Sequence, residues 1–216
     1  MSQAGEVRVS AVSADRGRVI ASYGDGIFAV CRFASMFTED DWSAQTPCAD
    51  WLACDIAGHL RCVAENYHEH LDDAPNSRLA RLMAQDVEPD QISRQHARQN
   101  AAELVALPVT SSERNIVVFA KSAYAYADRL PAAWQLPHYR YRDHSCTVGD
   151  YAGVACIEWH VHAWDLARTI GHDYRPSDAE LLVDAWRQGL PHLSVDPVDG
   201  GDPWKSVLVA FGRSPA

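Results

Sequence analysis

The stretch E-W-H-V-H-A-W-D-L-A-R-T, residues 158–169, packs two histidines and two carboxylates into little more than two helical turns. Imidazoles and carboxylates bind divalent metals and move protons near neutral pH, so geometry decides which of these four act together. On a helix each residue advances by about 100°, which stacks Glu158 and His162, four apart, on one face. Asp165, three residues beyond His162, stays on that side. His160 lies about 200° from Glu158 and points nearly the opposite way. The pair able to share a ligand is therefore Glu158 with His162, and His160 is a bystander. Ala155, Ala163 and Leu166 flank the pair and are small or apolar, which predicts a largely buried helix.

A divalent metal needs at least one further ligand from elsewhere in the fold. His59, His68, His70, His96, His138 and His144 are the candidates. His59 stands out because it sits on the apolar stripe of another helical segment, near its beginning. A buried imidazole without a partner is costly there. Facing helices that supply inward side chains are a common way to build a metal site in a bundle. Cys62, one turn after His59, is a spare ligand candidate.

The elements that must position these groups read as helices, with almost no strand pattern. Residues 1–16 look like a loosely tied arm. Apolar positions from Arg18 to Phe37 form a helical stripe. W-S-A-Q-T-P-C-A-D-W then breaks helicity, with Pro47 forcing an extended or turn conformation. A second helix spans Asp55 to about Leu71. Pro75 and Asn76 punctuate, and a polar helical stretch follows. Pro89 and Asp90 open a third long helix that stops at Pro108. Ser111 or Ser112 caps the next, which ends before Pro131, and residues 131–146 read as a long connector. Thr147, with Asp150 three residues on, is a capping box. The helix it opens runs from Val148 to Thr169 and stops at Gly171. Ser177 starts one more helix, and the tail from Asp196 is turn-rich with one apolar run.

Composition bounds the function. The chain has 216 residues with 47% hydrophobic and 22% charged, an ordinary globular balance. Its formal net charge of −10, with Lys and Arg scattered, argues against nucleic acid or an anionic membrane as partner. There is no secretory signal pattern and no apolar run long enough to span a bilayer. Six cysteines without C-x-x-C spacing read as reduced core residues, and the location expected is cytoplasmic. Exposed apolar faces on the last helix and tail are where a homodimer would form.

At these residues the chain resembles a known family. W-S-A-Q-T-P-C-A-D-W-L-A-C-D-I-A-G-H-L (42–60) is similar to the W-x3-T-P-C-x2-W-x3-D-x3-H-L signature of the mycothiol-dependent maleylpyruvate isomerase family, part of the DinB-like metalloenzyme superfamily. E-W-H-V-H-A-W-D-L-A-R-T-I-G (158–171) is similar to its E-x3-H-x-W-D-L-A-x-A-x-G element. A-F-G-R-S-P (210–215) resembles a terminal G-R-x-P of one branch.

The resemblance implies an all-α, up-and-down four-helix bundle over residues 17–175. A short arm (1–16) precedes it, and a C-terminal helical and irregular extension (176–216) packs against it. It implies a divalent ion near one end held by His59, Glu158 and His162. Zn²⁺ suits that set, and Ni²⁺, Fe²⁺ or Mn²⁺ would also accept it. Asp165 is expected to orient His162 or to hold the loop carrying Trp51. Trp42, Trp51 and Trp164 are expected to pack the bundle end, with Cys48 structural. Leu52 stands where the family often has a capping threonine, so Asp50 is expected to cap instead. The isomerase carries a further α/β domain, for which about 45 residues after Gly171 leave little room. The expectation is thus a metal-dependent transferase or isomerase that uses mycothiol or another small thiol on an electrophilic metabolite. The alternatives are a non-catalytic metal- or ligand-binding protein and a metal-assisted hydrolase.

Overall fold

The computed structural model of the chain describes residues 10–73, 76–84, 88–193 and 201–215. Helices dominate them. Four are long and central: α2 (Arg16–Ala34), α3 (Ala53–Asp72), α6 (Ser112–Ala133) and α7 (Val148–Thr169), with α1 (Ala11–Ala14) leading into α2. α4 (Arg78–Met83) and α5 (Pro89–Ala106) join α3 to α6, while α8 (Ala179–Gly189) and α9 (Pro203–Ala210) follow α7. Among the described residues no helix is long and apolar enough to cross a membrane.

The four long helices share one core. α2 packs along α7 and α3 along α6, with further contacts of α6 on α2 and α7 and of α3 on α7. Their meeting point is aromatic. The Trp159 ring of α7 touches Tyr23 of α2, Tyr67 of α3 and Phe119 of α6 edge-on, at centroid separations of 5.9, 5.7 and 4.9 Å. Tilted and edge-to-face contacts of this kind add to the hydrophobic gain of burying the rings. α7 is buried almost all round, as a helix enclosed by α1, α2, α3, α6 and α8 must be. The close approach of α2 has a local cause: a Cβ on Gly26 would lie 2.7 Å from the Cβ of Trp159 and 3.5 Å from the His160 ring.

The ends of α7 follow the sequence. Thr147 and Asp150 exchange hydrogen bonds in a capping box, and Gly171 (φ +73°) closes the helix. The His172 amide donates to the Ala167 carbonyl at 2.9 Å and that of Gly171 to Arg168 at 3.1 Å, the two bonds of a Schellman turn.

Several expectations need correction. Residues 1–9 and Pro75 lie outside the described residues, but the rest of the expected arm is folded: Ser10 caps α1 and bonds the Asp150 carboxylate, and Val12 is buried against α7 and α8. α6 continues through Pro131 to Ala133. The proline falls in the last turn, where it costs one carbonyl its partner, and buried Leu130, Ala133 and Trp134 hold the helix in place. Trp134 also donates its indole N–H to the Ser13 carbonyl at 2.8 Å.

The expected connector contains an antiparallel hairpin, β1 (Pro137–Tyr141) and β2 (His144–Thr147), which pairs Tyr139 with Cys146 and Tyr141 with His144. Tyr139 and Tyr141 point inward around exposed Arg140, a period-2 pattern too short to stand out among its prolines. Asp178 rather than Ser177 caps α8, accepting from the Leu181 amide at 3.1 Å. The tail's apolar run is α9, whose Trp204, Val207 and Leu208 are buried and whose Val209 is exposed.

Candidate metal centre

α3 and α7 each bring one end of a short polar cluster to the same place. His59 stands in the second turn of α3, and Glu158 and His162 occupy successive turns of α7. One ligand atom from each lies within 4.8 Å of the others. The two Nε2 atoms face the same carboxylate oxygen, Oε2 of Glu158, from 3.7 Å (His59) and 3.5 Å (His162). The imidazole rings meet edge-on at 5.1 Å. Both histidines are buried, and the Glu158 side chain keeps 27% exposure.

The loop before α3 is built by the first tryptophan-rich motif. The Thr46 hydroxyl donates to the Trp51 carbonyl at 2.9 Å and accepts the Cys48 amide at 3.1 Å. The bend this creates carries Asp50 into the left-handed region (φ 69°), so Asp50 does not cap the helix. Leu52 is the N-cap residue, and Asp55 accepts its amide at 2.9 Å. The loop lays the Trp51 ring against both imidazoles, 4.6 Å from His59 and stacked at 5.9 Å on His162. Trp42 packs on Phe37 at 4.6 Å nearby.

Asp165 faces His162, with Oδ2 3.0 Å from Nδ1. Because a carboxylate only accepts, this contact puts a proton on Nδ1 and leaves Nε2 as the nitrogen that faces Glu158 and is free to take up a second proton or an ion. Asp165 makes no hydrogen bond to the Trp51 loop; its other partner is Arg213, whose Nε donates to Oδ1 at 3.1 Å and whose NH2 donates to Oδ2. Sequence reasoning passed over Arg213. The G-R-x-P ending was its one signal, and the fold explains it. Gly212 (φ +77°) reverses the chain after α9, and the Arg213 amide closes a Schellman turn on the Leu208 carbonyl at 2.8 Å. The guanidinium is thereby thrown back over α7.

These contacts set the charges. Burial pushes the Glu158 carboxyl up, but the His162 and His59 imidazoles that face it outweigh this and hold the group well below the usual carboxylate range. Burial likewise acts against Asp165, and the pull of His162 and Arg213 keeps it ionised. His59 is held below the ordinary imidazole value by burial. For His162 burial is overcome by Asp165 and Glu158, and its value rises. A site that draws a proton between two carboxylates is one where a bound cation would take the proton's place. Two imidazoles and a carboxylate are a donor set that divalent metals accept, and they leave coordination positions open.

The other candidates lie elsewhere. His160 sits on the α2 side, with Nε2 3.0 Å from the Ser22 carbonyl and Nδ1 against the Tyr174 hydroxyl. His68 meets the Ser122 carbonyl at 2.9 Å, and His144 meets that of Gln188. His138 packs behind Tyr151, and neither Cys62 nor any other described cysteine joins the cluster. Burial pushes the Cys48 thiol up to about 11, which keeps it protonated. His70 and His96 line a cavity of about 120 Å³ that begins at His59 and Glu158. His70 is eleven residues beyond His59, so this cavity runs roughly 16 Å along α3.

With the donor set in view, the comparison with known sequences is decisive. The chain belongs to the mycothiol maleylpyruvate isomerase N-terminal domain family, whose model matches residues 26–167. This is a DinB-like family, and the matched span holds His59, Glu158 and His162 while leaving Arg213 outside. No curated protein and no solved structure matches the chain.

Proposed function

We propose that the protein is a divalent-metal-dependent enzyme of the DinB-like four-helix-bundle type. It holds the ion with His59, Glu158 and His162 and uses a small thiol, mycothiol in the family's case, to transfer to or isomerise an electrophilic metabolite. The observation that carries this reading is the convergence of two imidazoles and one carboxylate from two helices within 4.8 Å. A bound divalent ion would supply Lewis acidity and lower the pKa of a coordinated thiol. The chain's own groups prepare for that. Glu158 stays ionised, Asp165 fixes the His162 tautomer, and Trp51 covers both imidazoles against water. With Glu158 and Asp165 negative and Arg213 positive, a divalent ion leaves one positive charge, which one thiolate neutralises.

Zn²⁺ fits the nitrogen and oxygen donors, as do Ni²⁺, Fe²⁺ and Mn²⁺. A metal-assisted hydrolase would need a free general base, and Asp165 and His160 are both committed: Asp165 to His162 and Arg213, His160 to Ser22 and Tyr174. The test is elemental analysis of untagged protein, wild type beside His162→Ala. Wild type is expected to carry one ion per chain, and the variant to lose both metal and thiol-dependent turnover. Full occupancy in the variant would sink the assignment.

A further inference from the structure

We propose that the outer face of α2 and α6 seats a second copy of this chain, in a two-fold dimer that leaves the metal centre open. The proposal stands apart from the metal and thiol reading and needs neither.

The outer side of a bundle helix is ordinarily charged or polar. On α2 it carries instead an uncharged stripe, Ala21, Gly24, Phe28 and Cys31. On α6 a second stripe, Val117, Ala120, Tyr124 and Ala127, repeats the same intervals of three, four and three residues. That is the heptad spacing of a helix seam, and it points away from the core that the other faces of these helices already fill. Phe28, Val117 and Tyr124 are 64%, 56% and 48% exposed. The stripes adjoin because α2 and α6 run antiparallel. Trp134, just after α6, bonds the carbonyl of Ser13, just before α2, and the Tyr23 hydroxyl donates to the Ala123 carbonyl at 3.2 Å. The last helix and tail, where a dimer face was expected, bury theirs: α8 and α9 pack on each other, and among their described residues Val209 is the one large apolar side chain left exposed.

Charge decides what covers the stripes. Asp25 and Arg32 flank the first and Lys121 and Asp128 the second, all four exposed and none in an ion pair among the described residues. Antiparallel helices bring Arg32 and Lys121 toward one end of the face and Asp25 and Asp128 toward the other. Further out, Glu113 beside Arg114 and Asp15 beside Arg16 cancel. A two-fold axis across the helix pair lays the basic end of each copy over the acidic end of the other, α2 on α2 and α6 on α6. A partner of uniform charge would be repelled at one end. Shape agrees with charge. A Cβ on Gly24 would meet nothing within 4 Å, so the stripe is recessed one turn before Phe28, and each Phe28 ring has the other copy's recess to enter. Over the roughly 27 Å from Gly17 to Ser35, two helices side by side present on the order of 500 Å², toward the small end of specific interfaces, so the dimer is expected to dissociate on dilution. No residue lining the cavity beside the metal centre belongs to α2 or α6, and that cavity stays open.

The test is sedimentation velocity of the full chain over a concentration series. Wild type is expected to reach twice the chain mass reversibly. Phe28→Asp and Tyr124→Asp, both at exposed positions, are each expected to weaken association about tenfold or more, while Val209→Asp leaves it unchanged. The axis is tested by two charge-swapped proteins, Arg32→Glu/Lys121→Glu and Asp25→Lys/Asp128→Lys. Each alone is expected to associate about tenfold more weakly than wild type, and their equimolar mixture to recover the dimer. A wild type that stays monomeric throughout the series overturns the proposal. So does a dimer that survives Phe28→Asp and Tyr124→Asp but is lost with Val209→Asp, and so does a mixture that associates no better than its two components.

Discussion

The two ends of the cavity treat buried ionisable groups in opposite ways. At the metal end, Glu158, His162, Asp165 and Arg213 form one chain in which each charge touches a counter-charge or a hydrogen bond. Behind the hairpin end, past His70 and Tyr151, His138 is 2% exposed, packs tilted at 4.2 Å on Tyr151, and finds no hydrogen-bond partner for either ring nitrogen among the described residues. Burial, with His70 nearby, holds it down to about 3, so it stays neutral. The first arrangement keeps charge inside the protein by compensating it. The second keeps an imidazole inside by refusing it a charge. Only the first can exchange a proton for a metal ion, and this is why the two buried histidine environments are not equivalent candidates for chemistry.

The comparison breaks most visibly at Asp165. Asp165→Ala leaves Arg213 buried without its counter-charge, and the expected loss is about 3–5 kcal/mol in urea unfolding. Metal affinity, followed by competition with a chelating dye, is expected to fall about 10–100-fold because His162 loses the group that orients it. An Asp165→Ala protein as stable as wild type would erase the distinction between the two ends. Acid comes next in size. His138 binds a proton at about 6.5 when unfolded and at about 3 when folded, so between those values the unfolded state binds more protons and stability rises with pH. Lowering the pH from 7 to 4 is expected to cost roughly 3 kcal/mol from this group alone. Urea titrations at the two pH values measure it.

The smallest effect is expected from His138→Phe at pH 7. It keeps the ring against Tyr151 and removes two unpaired nitrogens, so stability should stay within about 1.5 kcal/mol of wild type. The same variant should flatten the acid slope. An unchanged slope would move the acid sensitivity to another group.

How much of this was legible in the sequence follows from the range of each interaction. Glu158 and His162 could be paired because a helix fixes side-chain direction over four residues, and the capping box at Thr147 and Asp150 is equally local. His59 lies 99 residues before Glu158, and no periodicity relates them; it was singled out from five other histidines by its apolar stripe and by the resemblance of its motif. Arg213 is 48 residues beyond Asp165. Its contact depends on a reversal at Gly212, whose position after a short apolar helix could be read only once α9 was recognised. The hairpin is not legible because two inward tyrosines are too few to outweigh the prolines around them. Asp50 is expected to cap α3 because Leu52 replaces the family's threonine, but the Thr46 hydrogen bonds bend the loop and leave Leu52 at the N-cap position.

The gap at Gly26 sets a tolerance for the whole centre. α7 can seat only as deep as α2 allows, and at residue 159 that depth is decided by a methyl group that is not there. Gly26→Ala would act as a shim between the two helices, felt on the opposite side of α7 as a sideways displacement of Glu158 and His162 relative to His59. The fit of an ion on one face is thus gauged from the other, by a residue that never approaches it.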